Sequence, residues 1–209
     1  MRGLYALKPW YSRRLTAITR VAVSRDASPD LFTAAGVLAA AFGALAIWRG
    51  WWVLALVLLA ARLAGANLDG VVARARAVSS QRGFILNELG DRAGDLLMFA
   101  GLAALAARTA APDSRAWLVA GVAATALAAT LPTFASLCAA GCGATRANGG
   151  PLGKTERCAL AVVMTALPAL LAGGCALIAV GSVLTAAMRL RNAVREVAQT
   201  VAAGHAVAA

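Results

Sequence analysis

Histidine and acid are what this 209-residue chain has least of: one histidine, His205, in a tail of small residues, and nine carboxylates against 20 lysines and arginines. The lone histidine argues against histidine acid–base chemistry. The four cysteines, Cys138, Cys142, Cys158 and Cys175, have no histidine near them to complete a zinc site and are expected to be buried free thiols. Aromatics are few, at 6%, and the arginines are scattered without aromatic interleaving, which speaks against nucleic acid as a partner. The N-terminus lacks the apolar core and small-residue cleavage site of a signal peptide and is expected to be retained. A resemblance to a phosphate-binding loop at Gly149–Thr155 fails, because Asn148 stands where that pattern needs glycine and no strand precedes it.

What is abundant is apolar residue. At 61% hydrophobic, 14% charged and a mean hydropathy of +0.74, the chain reads as an all-α, polytopic membrane protein of about one domain. A helix needs about 20 residues to cross the hydrocarbon core. Apolar runs near Leu31–Trp48, Trp51–Ala66, Phe84–Ala107, Ala116–Ala139, Cys158–Leu171 and Cys175–Met188 predict six transmembrane helices, the last two short and split by Gly173-Gly174. The segment Leu4–Val23 places apolar residues at helical spacing among Arg13, Arg14 and Arg20, which predicts an interfacial amphipathic helix within residues 1–27. A bundle over 28–190 and a tail over 191–209 complete the expected single domain. With the N-terminus inside, every basic residue except Arg49, Arg108 and Arg115 falls on the cytoplasmic side, so the positive-inside rule places both termini there, in a plasma-type membrane. The net charge of +11 has the same explanation, and the arginines spread along the membrane edges are expected to meet anionic lipid headgroups.

Against that background four of the nine acids, Asp69, Glu88, Asp91 and Asp95, stand within 27 residues. A carboxylate inside a span costs roughly 3 kcal/mol unless it faces a polar cavity or a cation. Asn87, Asp91 and Asp95 are spaced four apart and Glu88 lies three before Asp91, so a helix from Phe84 would put them on one stripe. Two readings fit. An all-oxygen set suits Mg²⁺ or Mn²⁺, and the same acids could pair with Arg74, Arg76, Arg82 and Arg92.

The pattern Asp69-Gly70-x2-Ala73-Arg74-x8-Gly83-x3-Asn87-x3-Asp91 resembles the signature of the CDP-alcohol phosphatidyltransferase family, with every spacing in agreement. Pro29-Asp30-x2-Thr33 and Gly153-Lys154-Thr155 are similar to two further family segments. Two positions depart from the pattern: the first aspartate falls at Ala66 and the third at Asn87. Asn67, Glu88 and Asp95 are the oxygens nearest to compensate, and the site reads as rearranged.

The resemblance implies transfer of a phosphatidyl or related phosphoalcohol group from CDP-diacylglycerol or a similar CDP-lipid to an alcohol acceptor, with release of CMP, in phospholipid biosynthesis. It implies Mg²⁺ or Mn²⁺ on Asp69, Asn87, Glu88, Asp91 and Asp95, with Asp91 as general base. Asp69, Gly70, Ala73, Arg74 and Gly83 would hold the nucleotide and diphosphate, and Arg146, Lys154 and Arg157 an anionic acceptor headgroup. It further implies a homodimer through membrane helices. The competing reading is a non-catalytic CDP-lipid-binding or scaffold protein with a weakened metal site. A transporter fits less well, because the acids gather at one face.

Overall fold

The structure, a computed structural model, describes residues 13–147 and 149–207, with side chains as far as residue 200. Every regular element among them is helical. In chain order these are α1 (Thr16–Ser24), α2 (Pro29–Arg49), α3 (Trp52–Ala75), α4 (Gln81–Thr109), α5 (Pro112–Ala128), α6 (Leu131–Gly141), α7 (Lys154–Ala166), a 3₁₀ turn (Pro168–Leu170) and α8 (Leu171–Val207).

Local chemistry sets several boundaries. Ser28 caps α2, its side chain accepting from Asp30 N at 3.3 Å with Pro29 in the first turn. Gly50 ends α2 at a φ of 77°, a left-handed conformation that favours glycine. Ser80 Oγ caps α4 by accepting from Gly83 N at 3.1 Å. At α7, Glu156 Oε2 reaches back to accept from Gly153 N at 2.9 Å, satisfying a donor that the helix leaves over.

Four stretches are long and apolar enough to cross a membrane: Pro29–Arg49, Trp52–Ala75, Pro112–Gly141 and Pro168–Thr200. The fold is therefore all-helical and multi-pass, but the expected six spans need correction. The first three coincide with α2, α3 and α4, although the first half of α4 carries Glu88, Asp91, Arg92 and Asp95 and so falls outside the apolar set. The fourth divides at Thr130 into α5 and α6. The break between the last two lies at Leu167–Leu170, not at Gly173-Gly174, because Pro168 has no N–H to continue a helix. Gly174 continues α8 and gives Met164 the space that a Cβ would fill. The sixth element then runs on to Val207, so no break separates a tail at 190. Of the expected amphipathic segment, residues 1–12 lie outside the described residues; its later part is α1, which packs on α3.

The closest helix pairings are α2 with α3 and α2 with α4. Small residues permit them, as is usual where lipid offers no hydrophobic drive for association. A Cβ on Gly65 would lie 2.6 Å from Phe32 O and 2.9 Å from Gly36 Cα, and one on Gly101 2.7 Å from Ala44 O. Since backbone cannot swing aside, Gly65→Val should force α2 and α3 apart at a cost of about 1–3 kcal/mol, measured as a lower melting temperature in detergent. A melting curve identical to the parent's would refute this account of the contact.

The core runs through Ile47, Leu59, Met98, Leu102, Leu105, Met164 and Ile178. Large apolar side chains such as Leu38, Phe42, Leu56, Phe134 and Leu184 remain on the outer surface, as lipid contact requires. Of the four cysteines only Cys158 and Cys175 are buried; Cys138 is half-buried and Cys142 is exposed, which corrects that expectation, and all are free thiols. Trp48, Trp51, Trp52 and Trp117 gather with Arg49, Arg108 and Arg115 at the end where α2 finishes and α5 starts. At the opposite end α2, α4 and α7 start and α3 finishes, and there the chain builds its site.

Candidate active site

A chamber of about 1020 Å³ opens at that end, between the starts of α2, α4 and α7 and the last turns of α3. Asp69, Gly70, Ala73 and Arg74 face it from α3, and Gly83, Asn87, Glu88 and Asp91 from α4. Arg146, Lys154 and Arg157 close the far wall. Asp69 and Arg157, 88 positions apart, thus share one cavity of a size suited to a large ligand.

Asp69 is held in place: its Oδ2 accepts from Thr33 Oγ1 at 2.9 Å and its Oδ1 from Gly70 N at 2.5 Å. Gly70 has a second use, since a Cβ there would meet Arg74 Nη1 at 3.1 Å, so the guanidinium can lie back along the helix beside the chamber. Asp91 receives Lys154 Nζ at 2.7 Å on both carboxylate oxygens. Glu88 pairs with Arg146, whose guanidinium also stacks on Phe84 with its carbon 4.9 Å from the ring centre.

Asp95 does not belong to this wall. Eight residues of helix turn it about 80° away from Asn87 and carry it roughly 12 Å deeper. There it is 3% exposed and meets Arg62 at 2.5 Å, Arg157 at 2.8 Å and Arg92 at 3.1 Å. Arg62, 2% exposed, also donates to Asp91 O at 3.2 Å and to Cys158 Sγ at 3.3 Å. Its guanidinium fits because residue 94 is glycine, whose absent Cβ would collide with it.

These contacts revise the expected ligand set. Among the described residues, no three histidine, cysteine, aspartate or glutamate side chains converge on one point. Glu88 and Asp95 are committed to guanidinium groups, because cations at these positions compensate their desolvation. Lys154 and Arg157, expected at an acceptor headgroup, bind Asp91 and Asp95, and Arg146 binds Glu88. Of the four arginines in the motif segment, Arg74, Arg76, Arg82 and Arg92, only Arg92 reaches one of these acids, and the rest of the pairing comes from α3, α7 and the loop before it. Arg76 turns elsewhere, donating to Ala27 O at 2.7 Å and pairing with Asp26 at 3.3 Å.

Two residues were missed. Arg62 was counted among the cytoplasmic charges, though an arginine inside an apolar run is itself a signal that an acid lies opposite. Arg189 was read in the same way. It lines the chamber and donates to Pro132 O at 2.7 Å, Ser136 Oγ at 2.8 Å and Gly149 O at 2.9 Å, tying α8 to α6 and the following loop.

Comparison with known proteins bears directly on this chamber. The sequence pattern described as CDP-alcohol phosphatidyltransferase matches residues 27–201, which includes every element from α2 through most of α8. The chain belongs to that family. A phosphatidylinositol phosphate synthase from Mycolicibacterium smegmatis is 32% identical over 95 residues, a match spanning 44% of this chain and only 42% of that protein. Among solved structures, Mycobacterium tuberculosis phosphatidylinositol phosphate synthase in complex with manganese and citrate superposes with a TM-score of 0.70 at 25% identity, covering 85% of this chain and 88% of that one. The same enzyme with CDP-DAG bound gives 0.69 at 25% identity over 87% and 94% of the two chains. The matched residues include the last turns of α3 and the start of α4, between which the chamber lies.

A divalent cation fits what remains of the ligand set. Asp69 and Asp91 supply carboxylates, and Asn87 Oδ1 is a buried acceptor with no hydrogen-bond partner. An orphaned buried carbonyl oxygen is costly unless something positive meets it. Oxygen donors of this kind suit Mg²⁺ or Mn²⁺.

Proposed function

We propose that this chain is an integral-membrane transferase. It moves a phosphatidyl, or related phosphoalcohol, group from a CDP-linked lipid to an alcohol acceptor and releases CMP. The observation that carries the reading is the convergence of Asp69, Gly70, Ala73, Arg74, Gly83, Asn87 and Asp91 on one chamber at a bundle end. There a nucleotide can enter from water while its lipid tails stay beside the helices.

The acceptor hydroxyl oxygen forms a bond to the lipid-side phosphorus, the bond from that phosphorus to the bridging oxygen breaks, and the electron pair leaves with CMP. Asp91 takes the hydroxyl proton, which requires Lys154 to release one of the two carboxylate oxygens it holds. Arg74, exposed at the end of α3, grips the diphosphate through two parallel N–H donors, a geometry lysine does not offer. The small residues Gly70, Ala73 and Gly83 let the nucleotide approach the backbone. Asp69, Asn87 and Asp91 would hold Mg²⁺ or Mn²⁺, which supplies charge neutralisation on the diphosphate when bound.

Arg146, Arg157 and Arg189 also line the chamber, and although they are engaged with Glu88, Asp95 and backbone oxygens respectively, the excess of cations around the cavity favours an acceptor carrying phosphate or carboxylate. The clustering of basic residues at the chamber end, with Arg49, Arg108 and Arg115 at the other, supports a cytoplasmic site and cytoplasmic termini. α1 would then lie along that interface, ahead of the membrane-crossing helices. Pairing of two copies through membrane helices is consistent with the apolar outer faces.

The test is CMP release from CDP-diacylglycerol by the purified protein in detergent with Mg²⁺ or Mn²⁺, across a panel of alcohols. Release that depends on both metal and acceptor is expected, and Arg74→Lys should raise KM for the CDP-lipid more than it lowers kcat. CDP-lipid binding without CMP from any acceptor would overturn the transferase and favour a scaffold.

A further inference from the structure

The chamber wall carries an unusual charge balance for a site that handles a diphosphate. Asp69 and Asp91 contribute two negative charges, Asn87 contributes none, and Ala66, at the head of the motif, offers a methyl group. One positive charge is already built in: Lys154 Nζ stands 2.7 Å from each Asp91 oxygen. Asp69, Asp91 and Lys154 line the same chamber, so the three form one cluster.

Lys154 is no wandering surface lysine. It is the first residue of α7, and the backbone just before it is fixed by Gly153 N donating to Glu156 Oε2 at 2.9 Å and Leu152 N donating to Thr185 Oγ1 at 3.2 Å. Its side chain is only 25% exposed and that of Asp91 20%. An ammonium so placed competes with a metal ion for the same two oxygens. Two divalent cations about 3.5–4 Å apart, as in many phosphoryl-transfer sites, bring four positive charges and need bridging carboxylates. With Glu88 paired to Arg146, the motif leaves Asp69 and Asp91 as the carboxylates for a metal, and one cation, Lys154, is already on Asp91.

We propose that the site binds a single divalent cation, held by Asp69, Asn87 and Asp91, and that the Lys154 ammonium supplies from the chain itself a second positive charge for the diphosphate. The proposal rests on the transferase reading for its substrate, but not for its metal count. Lys154 is then a positioning residue for Asp91 and a brake on metal affinity. A charge within a few ångströms of a cation in a partly buried site is worth about tenfold or more in affinity.

Manganese is titrated into the full-length protein in detergent, without substrate, and free Mn²⁺ is read by electron paramagnetic resonance. One Mn²⁺ per chain is expected. Lys154→Met should bind it about tenfold more tightly, whereas Lys154→Arg, which keeps the charge, should not. Restoring both carboxylates, in Ala66→Asp with Asn87→Asp, should raise the count to two. Lys154→Gln replaces the methionine variant if the latter does not elute as a single species. Two ions on the parent protein, none, or an affinity unmoved by neutralising Lys154 would overturn the proposal. The count needs no turnover, so one bound Mn²⁺ without CMP formation would sink the transferase and leave the single-cation site standing.

Discussion

Asp91→Asn is expected to lower kcat for CMP formation by about 10²–10⁴-fold, the range over which a positioned general base contributes. The amide keeps the shape of the side chain and one oxygen facing the chamber but cannot take a proton from the acceptor. Lys154, which now places its ammonium 2.7 Å from both carboxylate oxygens, loses its charged partner at the same time. Metal binding should weaken less than turnover does, since an oxygen ligand remains. Asp69→Asn offers the contrast: Asp69 touches Thr33 and Gly70 and is assigned to the metal and diphosphate alone, so its loss should be largely recovered at raised Mn²⁺. Full recovery of Asp91→Asn under the same conditions would show that Asp91 serves only the metal and that the proton goes elsewhere.

The largest effect on stability is expected from Asp95→Ala. Arg62, Arg92 and Arg157 all turn toward this one carboxylate, whose side chain is 5% exposed, and Arg62 and Arg157 are themselves 2% and 4% exposed. Removing it leaves two buried guanidinium groups and the partly exposed one of Arg92 facing one another between the helices without the carboxylate they share. Breaking a buried pair by deleting one partner costs about 3–5 kcal/mol, and here three cations lose the same partner. The protein should melt well below the parent in detergent or fail to elute as a single species. Because Arg62 also donates to the Asp91 carbonyl, any folded fraction should show a weakened kcat as that turn of α4 loosens. A variant with the parent's melting temperature would show that Asp95 is not the anchor of α3, α4 and α7.

Much of this was legible in the sequence, because the legible parts depend on local regularities. The spacing from Asp69 to Asp91 fixes which residues face one way on two consecutive helices, and those residues do line one chamber. Hydropathy located α2 and α3 to within a few residues at most ends, since apolar runs of span length have few alternatives. Helix breaks were harder to read. Gly173-Gly174 looked like the interruption, yet glycine is tolerated inside a packed helix, whereas Pro168 removes a donor outright.

The ion pairs could not be read in the same way. The sequence offers 20 cations for nine acids, and helical spacing ranks only neighbours three or four apart. Arg62 and Asp95, Arg146 and Glu88, and Lys154 and Asp91 are separated by 33, 58 and 63 positions. Their pairing follows from which helix ends meet and from how α4 rotates over eight residues.

The sequence by itself determined an all-helical membrane protein, the family motif and the residues on its face, because periodicity and spacing act along a single helix. Only the tertiary structure decided which acids remain available to a metal and which are neutralised by arginine. That choice depends on distance and burial between helices far apart in the chain, where a displacement of a few ångströms separates a ligand from an ion pair.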